Sequence, residues 1–134
     1  MPSVQTFEEL EFWKDARHLA NVIYAVSNAG CFARDFGLRD QMRRAAVSIV
    51  SNIAEGFERG GDREFSQFLS IAKGSSGELR AQLFIALDQQ YITQAQFDEC
   101  RLLAIQISKR IARFMQYLKS SSLQGPKYKP ATPE

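Results

Sequence analysis

The chain has very little of the chemistry from which protein active sites are usually built. Its only histidine is His18, and its two cysteines, Cys31 and Cys100, lie outside any Cys-x-x-Cys pattern. One histidine and two distant thiols do not supply the ligands of a zinc site. There is also no Glu-x-x-His pair of the kind that holds two metal ions in helical bundles. We therefore expect no metal site and no cofactor.

Catalytic and phosphate-binding motifs are also missing. No serine lies in a Gly-x-Ser-x-Gly elbow. The glycine-rich segment 56–62 lacks the Gly-Lys-Ser/Thr ending of a phosphate-binding loop, so we interpret it as a turn between helices. We therefore expect that the protein is not an enzyme and that it has no small-molecule substrate.

Long apolar runs are absent as well. No run of about eighteen apolar residues exists, so the sequence predicts no membrane-spanning helix. The first residues lack the basic flank and apolar core of a secretion signal, which predicts a cytoplasmic protein. Two free thiols are the expected state there, although the sequence leaves a bridge between Cys31 and Cys100 open.

Proline and glycine, which interrupt helices, are few and clustered. Four prolines and eight glycines leave long stretches without a breaker, whereas a β-sandwich needs turn signals roughly every 8–12 residues. Apolar residues recur in these stretches at three- and four-residue steps, which is the period of a helix. The predicted helices cover about residues 7–28, 38–59, 62–90 and 93–120.

Short connections after the second and third predicted helices favour neighbours that run in opposite directions. The sequence therefore predicts an all-α domain over residues 1–120, an antiparallel up-down-up-down four-helix bundle. The Ser-, Gly-, Pro- and Lys-rich segment 121–134 is predicted to be a flexible tail. The small residues of Gly74–Gly77 are expected to allow a neighbouring helix to approach closely.

Local signals mark the ends of the predicted helices. Thr6 followed by Glu9, and Thr93 followed by Gln96, both fit the capping box, in which two side chains satisfy backbone N–H groups reciprocally. Glycines at 60 and 61 are expected to end the second helix, and Asp62 is expected to cap the third.

A polar stripe runs along the second predicted helix, and it contains no lysine. Short polar residues occupy its middle, and these suit a hydrogen-bonded contact between helices better than open water. Three interpretations stay open: a solvated face with a charge ladder, a polar seam against another helix, and a site for an anion or an RNA backbone. The stripe comprises Gln41, Arg44, Ser48, Asn52, Glu55 and Arg59.

Apolar residues outside the main stripes indicate association between chains. Neighbouring helix positions point about 100° apart, so one narrow core face cannot cover them all. Wide apolar faces are expected where monomers form an oligomer. These residues are Phe12 beside Trp13, Val47, Val50, Ile71, Phe84 and Ile85.

Positive charge is concentrated near the C-terminus, although the net charge of the chain is only +2. Residues 93–134 carry seven Lys and Arg against three Asp and Glu. Guanidinium and ammonium groups suit phosphate, so these residues are candidates for nucleic-acid contact. The candidates are Arg43 on the second helix and Arg101, Lys109, Arg110 and Arg113 on the fourth.

Over residues 7–118 the chain resembles the bacterial four-helix-bundle family associated with the intervening sequence of large-subunit ribosomal RNA genes. Ser51–Gly56 with Arg59 is the most characteristic block. The other matching residues are Phe7–Leu10, Trp13, Ala16–Arg17, Tyr24, Gly37–Gln41, Arg43–Ala46, Ser48–Ile49, Glu64–Phe65, Phe68–Leu69, Ile71–Ala72, Gly74–Ser75 and Glu78–Leu79.

The resemblance implies a left-handed antiparallel bundle that assembles into a ring, a homopentamer. The chain is also similar to the accessory proteins of diversity-generating retroelements, which are basic pentamers that bind nucleic acid. The resulting hypothesis is a cytoplasmic, non-enzymatic oligomer that binds RNA or another nucleic acid. The alternative is a scaffold whose ring binds another protein.

Overall fold

The structure, a computed structural model, describes residues 4–122, with side chains to residue 120. Within this range the chain is all-α, and it contains four long helices and no strand. The predicted tail 121–134 lies outside the described residues, except that Ser121 and Ser122 end the last helix. The helices are α1 (Glu11–Val26), α2 (Phe36–Arg59), α3 (Asp62–Asp88) and α4 (Gln94–Ser122), with short 3-10 turns at Phe7–Glu9 and Phe32–Arg34.

The start of the first helix differs from the prediction. Thr6 makes no capping hydrogen bond, and a separate 3-10 turn precedes α1. The Phe7 and Trp13 rings pack edge to face, with centroids 5.1 Å apart. Two residues six positions apart on one continuous α-helix would point about 120° apart, so this contact requires the break. The capping box predicted at Thr6 is therefore wrong.

Two other helix ends follow their local signals, and the start of α3 does not. Gly60 adopts the left-handed conformation, with φ of 88°, and ends α2. The N-cap of α3 is Gly61, so Asp62 is the first residue of that helix and not its predicted cap. The second capping box is confirmed: the Gln96 N–H donates to Thr93 Oγ1 at 3.1 Å, and the Thr93 N–H donates to Gln96 Oε1 at 2.9 Å.

Each helix packs against the next, and α1 also packs against α4. Between α3 and α4, Ser76 contacts Ser108 and Phe84 contacts Phe97. Residue numbers thus rise along one helix as they fall along the other. The core between the helices includes Leu19, Ile23, Met42, Ile49, Ile53, Phe65, Leu69, Leu79, Leu83, Ile107 and Ile111, all fully buried.

Glycine allows close helix packing at a position other than the predicted one. A Cβ added to Gly56 would lie 2.7 Å from the Phe68 Cβ and 3.0 Å from the Phe65 Cδ1. At Gly74 and Gly77 an added Cβ would meet nothing within 4 Å. Within segment 74–77 the close approach predicted for the small residues is made by Ser75 and Ser76, which are buried, and not by the two glycines.

The extra apolar residues divide into two groups. Phe12 is buried, and its ring centroid lies 5.4 Å from that of Phe114, so it belongs to the core. Val50 is half-buried against the core. The other four are exposed: Val47, Ile71, Phe84 and Ile85. Part of the predicted second apolar surface is thus present on the single chain.

Candidate nucleic-acid interface

The middle of the polar stripe lies inside the bundle, against α3. The Ser48 and Ser75 hydroxyls share a hydrogen bond of 2.9 Å. The Asn52 Nδ2 donates to the Ser48 carbonyl oxygen at 2.8 Å and to its hydroxyl at 3.0 Å. Ser48 and Asn52 are half-buried, and Ser75 is buried. At these two positions the stripe has the geometry of a polar seam between helices.

The other members of the stripe face outward. Gln41, Arg44, Glu55 and Arg59 are exposed. Arg59 forms an ion pair of 3.0 Å with Glu55, one turn away, and its guanidinium lies 5.1 Å from the centre of the Phe68 ring. Exposed ion pairs of this kind contribute about 0.3–0.5 kcal/mol. The ladder predicted from Arg44 through Glu55 to Arg59 is therefore reduced to its last two members.

A second group of hydroxyls joins α3 to α4. The Ser76 hydroxyl donates to the Ala104 carbonyl oxygen at 2.9 Å, and the Ser108 hydroxyl donates to Ser76 at 3.0 Å. Ser75 and Ser76 therefore point to opposite neighbours, one to α2 and the other to α4. The sequence predicted close approach at the small residues of segment 74–77, but not that the two serines would form hydrogen bonds to two different helices.

Arg43, predicted to contact nucleic acid, is engaged within the bundle. Its Nε donates to the Ser27 hydroxyl at 2.8 Å, and its Nη2 donates to the Tyr24 carbonyl oxygen at 3.4 Å. Its guanidinium also lies 4.5 Å from the centre of the Tyr24 ring. Cations near the C-terminal end of a helix are stabilised by the free carbonyl groups and the helix dipole. The structure thus separates Arg43, at the end of α1, from the cations of α4.

Three of the predicted cations on α4 are exposed, namely Arg101, Lys109 and Arg113. Lys109 and Arg113 lie one turn apart and line a shallow groove of about 420 Å³. Arg110 is half-buried and forms an ion pair with Asp15 on α1. Arg110 therefore joins two helices and also lines the groove.

Two cations of α3 lie on the flank of that helix that contacts α4. At about 100° per residue, Lys73 and Arg80 share a flank of α3 with Ser76, which contacts α4. Lys73 is exposed and Arg80 is half-buried. Their spacing of three and four residues from Ser76 was the signal in the sequence. A count of positive charge for each helix separately does not show that Lys73 and Arg80 lie on the flank of α3 that contacts α4.

The thiols show no sign of reactive chemistry. Both cysteines are free, with Cys31 exposed and Cys100 buried. Burial raises the pKa of the Cys100 thiol to about 11, and the nearby Glu99 adds to the effect.

Within residues 4–122, no group of three or more His, Cys, Asp and Glu side chains is placed to hold a metal ion. None of the described helices is long and apolar enough to cross a bilayer.

The model of the family described as 23S rRNA-intervening sequence protein matches residues 8–113, well over half of the chain. The chain belongs to this family. The resemblance predicted from Ser51–Gly56 and its companion blocks is thereby confirmed. The match to the 23S rRNA-intervening sequence protein family contains all of α1, α2 and α3 and reaches Arg113 on α4. No curated protein matches the chain.

A solved structure with the same fold supports the bundle expected for a 23S rRNA-intervening sequence protein. It is a protein of unknown function from the S23 ribosomal protein family of Bacteroides thetaiotaomicron VPI-5482. The two chains are 20% identical, with a TM-score of 0.71, over 78% of this chain and 95% of the other. At this identity the likeness concerns the fold alone.

Proposed function

We propose that the protein is a cytoplasmic, non-enzymatic homo-oligomer that binds RNA or another nucleic acid through α4. One observation carries the proposal: from Cys100 to Ser122, α4 has five basic residues and no acidic one. Arg101, Lys109 and Arg113 form no ion pair within the described chain. Phosphate contacts supply most of the affinity in nonspecific nucleic-acid binding.

The proposed unit is a ring of antiparallel up-down-up-down bundles, a pentamer. In the contacts between α3 and α4, residue numbers rise along one helix as they fall along the other, which supports the antiparallel arrangement. The exposed side chains of Val47, Ile71, Phe84 and Ile85 support association, since a contact between copies that covers them would remove apolar surface from water. A ring repeats the modest basic face of each copy and so produces a larger continuous field. The mass by light scattering should be five times the 15.2 kDa of one chain.

The second candidate is a scaffold whose ring binds another protein and no nucleic acid. Ile71 and Ile85, about half-exposed on the outer face of α3, favour it. Protein partners would bind there through apolar burial, which depends weakly on salt, whereas binding to phosphate weakens steeply as salt rises.

The two candidates are separated by titrating the protein with a structured RNA at several salt concentrations. We expect a steep linear fall of log K with log salt. Replacing Lys109 and Arg113 together by Gln should lower the slope by about two, one for each lost phosphate contact. The matched control, Arg44→Gln with Arg63→Gln, removes the same charge from exposed positions on α2 and α3 and should change the slope less. Absence of salt-dependent binding would refute the nucleic-acid proposal and leave the scaffold.

A further inference from the structure

A second groove, of about 540 Å³, lies between the start of α1 and the last turns of α4. This size falls within the usual range of small-molecule sites. The lining residues are mainly apolar or aromatic, with charged residues from both helices. Glu9 and Glu11 come from the α1 side, and Arg110, Arg113, Phe114 and Tyr117 come from α4.

The aromatic part of the groove is held rigidly. The Phe114 ring packs against three others, with centroid distances of 5.4 Å to Phe12, 5.5 Å to Phe65 and 5.3 Å to Tyr117. Phe12 and Phe65 are buried, so the cluster is anchored in the core, while Phe114 and Tyr117 are half-buried. A flat ligand would therefore meet rings whose conformational freedom is already restricted, which lowers the entropic cost of binding.

Positive and negative side chains lie on opposite sides of this groove. Arg110 and Arg113 lie on the α4 side, and the same two arginines line the neighbouring groove with Lys109. Glu9 and Glu11 lie on the opposite side, where they would repel phosphate. Glu9 Oε1 accepts from the Gln5 N–H at 3.1 Å and Glu11 Oε2 lies 3.5 Å from the Lys14 ammonium, while the second oxygen of each carboxylate can accept a hydrogen bond from a ligand N–H. The matching ligand combines a flat ring that carries N–H donors with an anionic group on the α4 side.

We propose that this groove takes one unpaired base of a single-stranded nucleic acid, while Arg113 and Lys109 bind the flanking phosphates. The inference rests on the proposed function and specifies its ligand. A base can stack on aromatic side chains only when it is free of its own neighbours, as in single strands and loops. Arg113 lines both grooves, so the phosphate contacts of α4 are continuous with the groove that would hold the base.

Anisotropy titrations with three labelled probes test the proposal: a 12-nucleotide RNA strand, the same strand with every base replaced by an abasic site, and its duplex. Base–aromatic stacking contributes about 1–3 kcal/mol per base, so the wild type should bind the intact strand at least about fivefold more tightly than the abasic strand. Tyr117→Leu, which keeps an apolar side chain, should remove most of this difference. Tyr117→Phe keeps the ring and should retain it.

The outcomes are distinguishable from failure of the proposed function. Salt-dependent binding with equal affinity for intact and abasic strands would overturn the inference and leave the proposed function intact. The same holds if Tyr117→Leu, melting cooperatively like the wild type, keeps the difference. A lower oligomer mass for Tyr117→Leu would show that the groove is a contact between copies, which also overturns the inference. No salt-dependent binding of any probe would refute the proposed function itself.

Discussion

Replacing Gly56 by Ala tests how closely α2 and α3 are packed. The new Cβ would lie 2.7 Å from the Phe68 Cβ, whereas ordinary contacts begin at 3.4 Å. The helices would have to separate locally by about 0.7 Å, because both atoms are fixed to the backbone. A gap of that size loses about a quarter to a half of the dispersion energy of the contacts lining it. Inserting a methyl group into a packed core costs about 1–3 kcal/mol.

The helix propensity of alanine opposes this cost. Gly→Ala inside a helix gains about 0.5–1 kcal/mol because the unfolded chain has less freedom to lose. At Gly56 the steric cost outweighs that gain, and we expect a net loss of about 1–2 kcal/mol in the free energy of unfolding. At Gly74 an added Cβ meets nothing within 4 Å, so Gly74→Ala should gain about 0.5–1 kcal/mol.

Urea unfolding followed by circular dichroism measures both variants. All proteins should be compared at one concentration, since oligomerisation is linked to stability. The midpoints should shift in opposite directions with unchanged m values. A Gly56→Ala protein as stable as the wild type would refute the argument, because the structure would then tolerate a methyl group between α2 and α3.

Two further predictions follow from the titrating groups. Cys100 is buried and its pKa is raised to about 11, so it should not react with a thiol reagent at pH 8 in the folded protein, whereas the exposed Cys31 should react. Modification of both cysteines without unfolding would contradict the burial of Cys100. The hydrogen bond from the Tyr91 hydroxyl to Asp35, 2.9 Å long, is the main cause that raises the pKa of Tyr91 above its usual 10.0. The folded state thus favours the neutral phenol, so this stabilisation is complete below pH 10 and is lost as the pH rises through the folded pKa. In urea unfolding, the free energy of unfolding of Tyr91→Phe should fall less than that of the wild type as the pH rises above 10. An equal fall in both proteins would contradict the prediction.

Helix ends with complete local chemistry could be predicted from the sequence. The Thr93 box needs only two side chains three residues apart, and a glycine such as Gly60 adopts the left-handed conformation without steric strain. The Thr6 box has the same residue pattern and does not form: the Glu9 carboxylate accepts from the Gln5 N–H, and the Phe7 ring packs on Trp13. The identity of that packing partner is tertiary information that a capping pattern does not contain.

The packing of Gly56 and Gly74 could likewise be predicted only in part from the sequence. Gly56 lies on the core side of α2 with Ile49 and Ile53, whereas Gly74 lies on the outer side of α3. A helical wheel separates these cases, so the interior position of Gly56 could have been found. The distance to Phe68 could not, because it depends on how closely the two helices approach, which the sequence of either helix alone does not specify.

The same reasoning decides which positive charges can serve an external ligand. Counting arginines groups Arg43 with Arg113, but Arg43 is bonded to Ser27 and Tyr24 at the end of α1. Removing such a residue would unpair a helix end and change stability together with any binding. Lys109 and Arg113, exposed and without an ion pair in the described chain, can lose their charge with little effect on the fold. A change in RNA affinity on their replacement therefore reports contact with the ligand, which makes α4 the decisive element for testing function.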